Sequence, residues 1–300
     1  MKKISVLVIV LALIVAMSLM LVACNDDSND KIENNENIES ENVPDEKPED
    51  KPAETTPNNP ISAESMKKIN AIYGKATIEP QTIKSVHDLA ILTSVNYKFK
   101  GEGPIGVAAA RLNGEDITLI VLGGTEDVEG QATSIRESKL ASQGKDNDYL
   151  TAVMKLFENG TIPKDKPVLI AGISLGGMIA QQLIEKVSYT YEVAAVVTFG
   201  SPFTRPVERN GVKTVRFVDS NDMVPKLGES TLWGVDTSAL DAVEKIIRTS
   251  KYTGMVDPHA LSYIEDECWN DFDFLGDTAK SNTLVTLEKL TYYAAPKLGK

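Results

Sequence analysis

The sequence predicts an α/β domain, with a mostly parallel central sheet, helices on both faces and an antiparallel hairpin near its start. Three observations predict it. Continuous apolar runs of the kind that lie inside a parallel sheet occupy residues 167–173, 193–199 and 212–218. Segments of helical periodicity alternate with them. Two β-rich runs, 105–112 and 116–122, are joined by Asn113-Gly114, whose dihedral preferences favour a tight hairpin turn.

In chain order, Lys2 and Lys3 precede an apolar stretch over residues 4–20, the charged and apolar regions of a secretory signal spanning 1–23. It ends in Leu21-Val22-Ala23-Cys24, which resembles the bacterial lipoprotein signal, and that resemblance implies a diacylated Cys24 as the mature N-terminus. An uncleaved anchor is the alternative, since residues 4–23 are just long enough to span a bilayer. Either way the chain is expected at the outer face of a membrane. Each buried methylene of an acyl chain contributes about 0.8 kcal/mol, so two chains anchor stably.

Residues 25–60 are rich in Asn, Asp, Glu, Pro and Lys and offer almost nothing to a core, so 24–60 reads as a lipidated cysteine on a disordered tether. Twelve acidic and three basic residues put −9 of the formal charge of −12 on this stretch. The acidity therefore says little about a ligand of the folded part. A mildly acidic body without a basic stripe argues against nucleic acid. Residues 61–300 suit one large domain. The only other cysteine, Cys268, has no partner for an intramolecular disulfide, and no Cys/His cluster has metal spacing, so neither metal nor organic cofactor is implied.

Helices are expected at 63–73 and about 81–96, the latter with apolar Ile83, Val86, Leu89, Ala90 and Val95. After the hairpin, polar sequence over 126–148 leads to a helix at about 148–157, ended by Gly160. The run 167–173 then meets Gly172-Ile173-Ser174-Leu175-Gly176, followed by Met178, Ala180, Leu183 and Ile184 at helical spacing. The bare pentapeptide also arises by chance, but strand before and helix after give it the setting of a nucleophile elbow. A serine on so tight a turn exposes its hydroxyl only if side chains two before and two after are missing, and glycine removes both. The helix N-terminus places orphan N–H groups beside Ser174, where acyl transfer develops negative charge.

A serine hydroxyl needs a base within hydrogen-bond reach. Of the two histidines, His87 lies in an amphipathic helix and reads as structural. His259 follows Pro258 at the start of a loop beyond the last expected strand, which is the place for a base. An acid between serine and histidine is offered by Val218-Asp219-Ser220-Asn221-Asp222; Asp222 is favoured over Asp219 because it sits further into the loop, though either also suits a turn cap. The oxyanion hole would take the Leu175 N–H and a second donor from Gly123-Gly124-Thr125, where paired glycines admit the substrate and Thr125 offers N–H and hydroxyl together.

The chain resembles the class 3 lipase family of α/β-hydrolases in four ordered blocks. These are Leu122-Gly123-Gly124-Thr125, Gly172-Ile173-Ser174-Leu175-Gly176-Gly177, Thr198-Phe199-Gly200-Ser201-Pro202 and Asn221-Asp222-Met223-Val224-Pro225. A fifth, His259 with Leu261 and Tyr263, is similar to the family's histidine segment. The resemblance implies Ser174 as nucleophile, Asp222 as acid, His259 as base, and Thr125 and Leu175 as oxyanion donors. It departs at Gly123, where the family usually has arginine, and at Ile173, where it usually has histidine. Where family lipases carry an apolar lid, Glu126-Asp127-Val128-Glu129-Gly130-Gln131 is polar. The expected activity is hydrolysis of lipid or small acyl esters, with the weight towards esterase or phospholipase. A silent surface lipoprotein that binds a ligand or partner is the rival, and amide hydrolysis or acyl transfer by the same triad stays open.

Overall fold

The computed structural model describes residues 82–94, 103–126, 130–204, 211–227, 243–254, 256–278 and 282–298. The signal, Cys24, the tether and the helix expected at 63–73 lie outside them. Among the described residues no helix is long and apolar enough to cross a membrane.

Eight strands form one sheet: β1 (Thr82–Ile83), β2 (Ile105–Leu112), β3 (Glu115–Leu122), β4 (Val168–Ile173), β5 (Val193–Phe199), β6 (Thr214–Asp219), β7 (Val243–Arg248) and β8 (Val285–Tyr293), ordered β1-β8-β2-β3-β4-β5-β6-β7. From β3 to β7 every neighbouring pair is parallel. The β1, β8, β2 and β3 end is antiparallel. The mostly parallel sheet of an α/β domain and its early hairpin are thus both present. Asn113 and Gly114 turn the hairpin with φ of 53° and 94°, the positive pair that a two-residue turn matching strand twist requires.

The strands alternate their side chains between two cores. On one face Leu119, Val121, Leu169, Ala171, Val197 and Phe217 pack under α1 (Val86–Ser94) and α6 (Asp257–Glu265). On the other, Ile120, Leu122, Ile170 and Val196 pack under α3 (Asp148–Glu158) and α4 (Leu175–Val187), with Ala141 of α2 (Ile135–Ser142) beside them. A short α5 (Val224–Leu227) follows β6.

Four expectations need correction. The helix expected over 81–96 starts later, because Thr82–Ile83 pair with β8 and Ser85 caps the helix: Ser85 Oγ accepts from Asp88 N at 3.1 Å, and Asp88 Oδ2 accepts from Ser85 N at 3.0 Å. The polar stretch 126–148 contains α2, whose buried face is Glu137, Ser138, Ala141 and Ser142. The strand expected at 212–218 carries a fully buried Arg216, which donates to Ser201 O at 3.1 Å and lies 5.0 Å from the Phe203 ring centroid. Besides β1, the strands β7 and β8 were not anticipated, and β8 returns the chain to the middle of the antiparallel end.

Helix α3 explains how α2 is held. Asn147 caps α3 by accepting from Leu150 N at 2.8 Å and donates to Gln182 Oε1 at 3.0 Å. The buried Glu137 carboxylate accepts from Asp148 N at 2.7 Å, at the positive end of α3, with Arg136 Nη1 at 3.3 Å. Burial nevertheless raises the Glu137 carboxyl above its ordinary value of 4.5, against those hydrogen bonds. A carboxyl raised in the folded state binds its proton more tightly there than in the unfolded chain. The Glu137 contribution to stability should therefore fall as pH rises from 4.5 through the raised value, so the wild type should lose stability relative to Glu137→Gln across that window. Denaturant unfolding of both proteins across that window checks this; parallel pH dependences would refute it.

Candidate active site

Ser174 sits between β4 and α4 with φ 52° and ψ −121°, a conformation that costs about 1–3 kcal/mol for a residue with a side chain. Its surroundings over-determine it. Ser174 N donates to Phe199 O at 3.0 Å, and Ser174 O accepts from Gly177 N at 3.1 Å and Met178 N at 3.2 Å. A Cβ on Gly172 would strike the Gly176 backbone, one on Gly176 the Leu122 carbonyl, and one on Gly177 the Ser201 Cβ at 2.5 Å. The turn thus closes only where three glycines let backbones meet. Helix α4 begins at Leu175, whose N–H lies among the orphan donors of the first turn.

The Gly123–Thr125 loop after β3 lies directly against this turn. A Cβ on Gly124 would stand 3.3 Å from Ser174 Cβ. The loop is pinned by Gly123 N donating to Pro104 O at 2.9 Å, by Tyr149 Oη donating to Gly123 O at 3.1 Å, and by Glu126 N donating to Thr133 O at 3.1 Å. Thr125 is buried between these pins, its Oγ1 3.4 Å from Ser138 Oγ. The loop that bears Thr125 and the helix start that bears Leu175 therefore meet at Ser174.

Asp222, in the turn between β6 and α5, accepts His259 Nδ1–H on Oδ2 at 2.7 Å and Tyr263 Oη–H on the same oxygen at 2.9 Å. Its Oδ1 accepts from Val224 N at 2.9 Å. With the imidazole proton on Nδ1, Nε2 keeps its lone pair, the form a general base needs. Asp219, the other candidate acid, is consumed locally: Oδ1 accepts from Asn221 N at 2.9 Å and Ser250 N at 3.2 Å, and Oδ2 accepts from Ser250 Oγ. Of the two carboxylates it is Asp222 that meets His259. His259 is not in a loop, as the sequence suggested, but in the first turn of α6 beside Pro258, which fits a helix start because it lacks only an N–H that would be orphaned anyway.

Side chains that sequence reading had not assigned complete this half. Tyr263, one helical turn after His259, accepts from Asp219 N at 3.0 Å while donating to Asp222. Burial, and then the Asp222 charge, hold its hydroxyl well above the usual range, so it stays a donor. Stacking on Trp269, with centroids 5.6 Å apart, and Trp269 Nε1 donating to Ser262 O at 2.9 Å tie α6 to the turn that follows it, and Trp269 set edge-on to Phe217 of β6 fastens both to the sheet. His87 Nδ1–H donates to Tyr263 O at 3.0 Å, the structural role anticipated for it.

Gly200 joins the two halves. Its φ is +54°, and a Cβ there would lie 2.9 Å from Asp222 Oδ2 and 3.0 Å from His259 Nδ1. It directly follows Phe199, whose carbonyl holds the Ser174 N–H. Ser174, His259 and Asp222 are 7%, 4% and 0% exposed, so all three lie beneath the surface. Among the described residues no hydrogen bond joins the Ser174 hydroxyl to His259, and no group of His, Cys, Asp and Glu has the arrangement of a metal site. No known family model matches the chain, and no curated protein is similar to it.

Replacing Tyr263 by Phe leaves the Asp219 N–H and the Asp222 carboxylate each short of a buried partner. The expected cost is about 1–3 kcal/mol of stability in denaturant unfolding; a variant as stable as the parent would contradict this reading of the hydroxyl.

Proposed function

We propose that the chain is a serine-dependent carboxylic ester hydrolase of the α/β-hydrolase type, similar to class 3 lipases and carried on a lipid-anchored Cys24 at the outer face of a bacterial membrane. The observation that carries the reading is the strained Ser174 turn standing one residue from a turn that touches a buried His259–Asp222 pair.

Ser174 Oγ attacks the ester carbonyl carbon as His259 Nε2 takes its proton. The carbonyl oxygen becomes an anion that the Leu175 and Thr125 N–H groups receive; each such donor is worth about 2.7–4 kcal/mol in the transition state. Collapse breaks the C–O bond to the leaving alcohol, which takes the proton from His259. Water then repeats the cycle on the acyl-enzyme and releases the acid. Asp222 keeps the imidazole tautomer and stabilises the imidazolium. No step calls on a metal or organic cofactor.

The substrate side follows from α2. Its inward face of Glu137, Ser138, Ala141 and Ser142 lacks the apolar stripe that would insert into an oil interface. This favours small or membrane-presented acyl esters over bulk triacylglycerol. The unmade Ser174–His259 hydrogen bond supports a second reading, a silent lipoprotein that binds a ligand, although such bonds tighten in many enzymes only with substrate.

Fluorophosphonate labelling of the full chain separates the two, since a dead pocket stays unlabelled. On p-nitrophenyl esters from acetate to palmitate, turnover should favour the short chains and fall at least about 1000-fold in Ser174→Ala; equal rates would sink the hydrolase reading. Cys24→Ala should move the protein from the membrane fraction to the soluble one while soluble-ester turnover persists; retention on the membrane would sink the anchor.

A further inference from the structure

Beyond the triad, the polar contact between Thr125 and α2 bears on how an oxyanion would be held. Thr125 Oγ1 lies 3.4 Å from Ser138 Oγ, and Ser138 Oγ is also 3.5 Å from Ser134 O. All this is buried. A hydroxyl–oxygen hydrogen bond is ordinarily about 2.7–2.8 Å, so both contacts are long and neither commits the protons. The Ser138 proton is shared between a carbonyl that only accepts and a hydroxyl that accepts or donates.

The support behind Ser138 is rigid. Its neighbour Glu137 is fastened to Asp148 N at 2.7 Å, and Ala141, one turn on, is fully buried in the core. The next residue of α3, Tyr149, donates to Gly123 O at 3.1 Å. The α2–α3 corner therefore grips the Gly123–Glu126 loop at both its base and its middle.

We propose that Ser138 is a positioning residue for Thr125, orienting its hydroxyl as an additional donor to the oxyanion. The inference rests on the hydrolase reading above. At rest either hydroxyl can donate to the other, and Ser138 can donate instead to Ser134 O. As negative charge forms on the substrate oxygen, the Thr125 O–H turns to it and the Ser138 O–H turns to Thr125 Oγ1. Both hydroxyls rotate, and no proton changes its oxygen. The Ser138 bond polarises the Thr125 hydroxyl, so each strengthens the other only in the transition state. In the alternative, Ser138 merely bonds back along its own helix, as mid-helix serines do.

The test is a double-mutant cycle in the full chain, read by kcat and KM on p-nitrophenyl butyrate and by the fluorophosphonate labelling rate. Removing a whole oxyanion donor costs about 100- to 1000-fold, so Ser138→Ala should lose about tenfold in kcat with KM unchanged, and Ser138→Thr should restore it. In the Thr125→Ala background, where there is no hydroxyl to orient, Ser138→Ala should cost nothing more. Unchanged kcat in Ser138→Ala, a loss confined to KM, or losses that multiply in the double variant would overturn the proposal. Should Ser138→Ala fail to fold, Ser138→Cys, a weak donor of similar size, carries the same comparison. A parent protein that is labelled at Ser174 but indifferent to Ser138 overturns this inference alone, whereas an unlabelled parent overturns the hydrolase reading beneath it.

Discussion

The structure hinges on how closely three backbones approach at the end of β4. The Gly172, Gly176 and Gly177 positions have no room for a Cβ, because the Gly176 backbone, the Leu122 carbonyl and the Ser201 side chain fill the space. Close approach draws the end of β3, the start of α4 and the turn after β5 around one residue. Ser174 N donating to Phe199 O ties the third of these to the first two. The N-terminus of α4 is thereby aimed where the Gly123–Thr125 loop passes, and two sets of backbone donors meet without either element having to bend.

The other half of the site is an electrostatic problem solved by packing. A fully buried carboxylate is costly unless its lone pairs are used. Asp222 spends them on Val224 N, His259 Nδ1 and Tyr263 Oη. Two of those donors lie one helical turn apart on α6, so the carboxylate and the helix specify each other's position. The aromatic stack of Tyr263 and Trp269, with Trp269 set edge-on to Phe217 at 5.7 Å, then fixes α6 over the sheet. Gly200 at φ +54° is where the pair meets the serine turn, and any side chain there would displace it.

Sequence reading succeeded where one local signal dictates structure. The hairpin at Asn113-Gly114, the buried strands β4 and β5, and the Ser174 turn each follow from residue types within a few positions. It failed where partners are distant. Helix α2 buries Glu137, Ser138 and Ser142, so it has no apolar stripe to read; its polar face is satisfied by α3 and by the loop bearing Thr125. The short β1 exists only because β8, some 200 residues later, pairs with it. Asp219 and Asp222 lie three residues apart and look alike until Ser250, from beyond β7, occupies one of them. Arg216 interrupts an apolar strand because Ser201 and Phe203 meet it from above. The second strand beyond β6 is equally non-local, since β8 alternates buried and exposed residues to suit an antiparallel end rather than the continuous apolar pattern sought.

An α/β scaffold does not by itself demonstrate catalysis. The distribution of strain within the Ser174 turn bears on the question. Glycine occupies Gly172, Gly176 and Gly177, the positions where a side chain would collide, yet the residue with φ 52° and ψ −121° keeps its side chain. If the turn served only to join β4 to α4, glycine would relieve the strain there too, at no loss of contact. The proposed chemistry at that hydroxyl gives a reason for holding it at the one place where it costs conformational energy, beside the orphan donors of the α4 N-terminus.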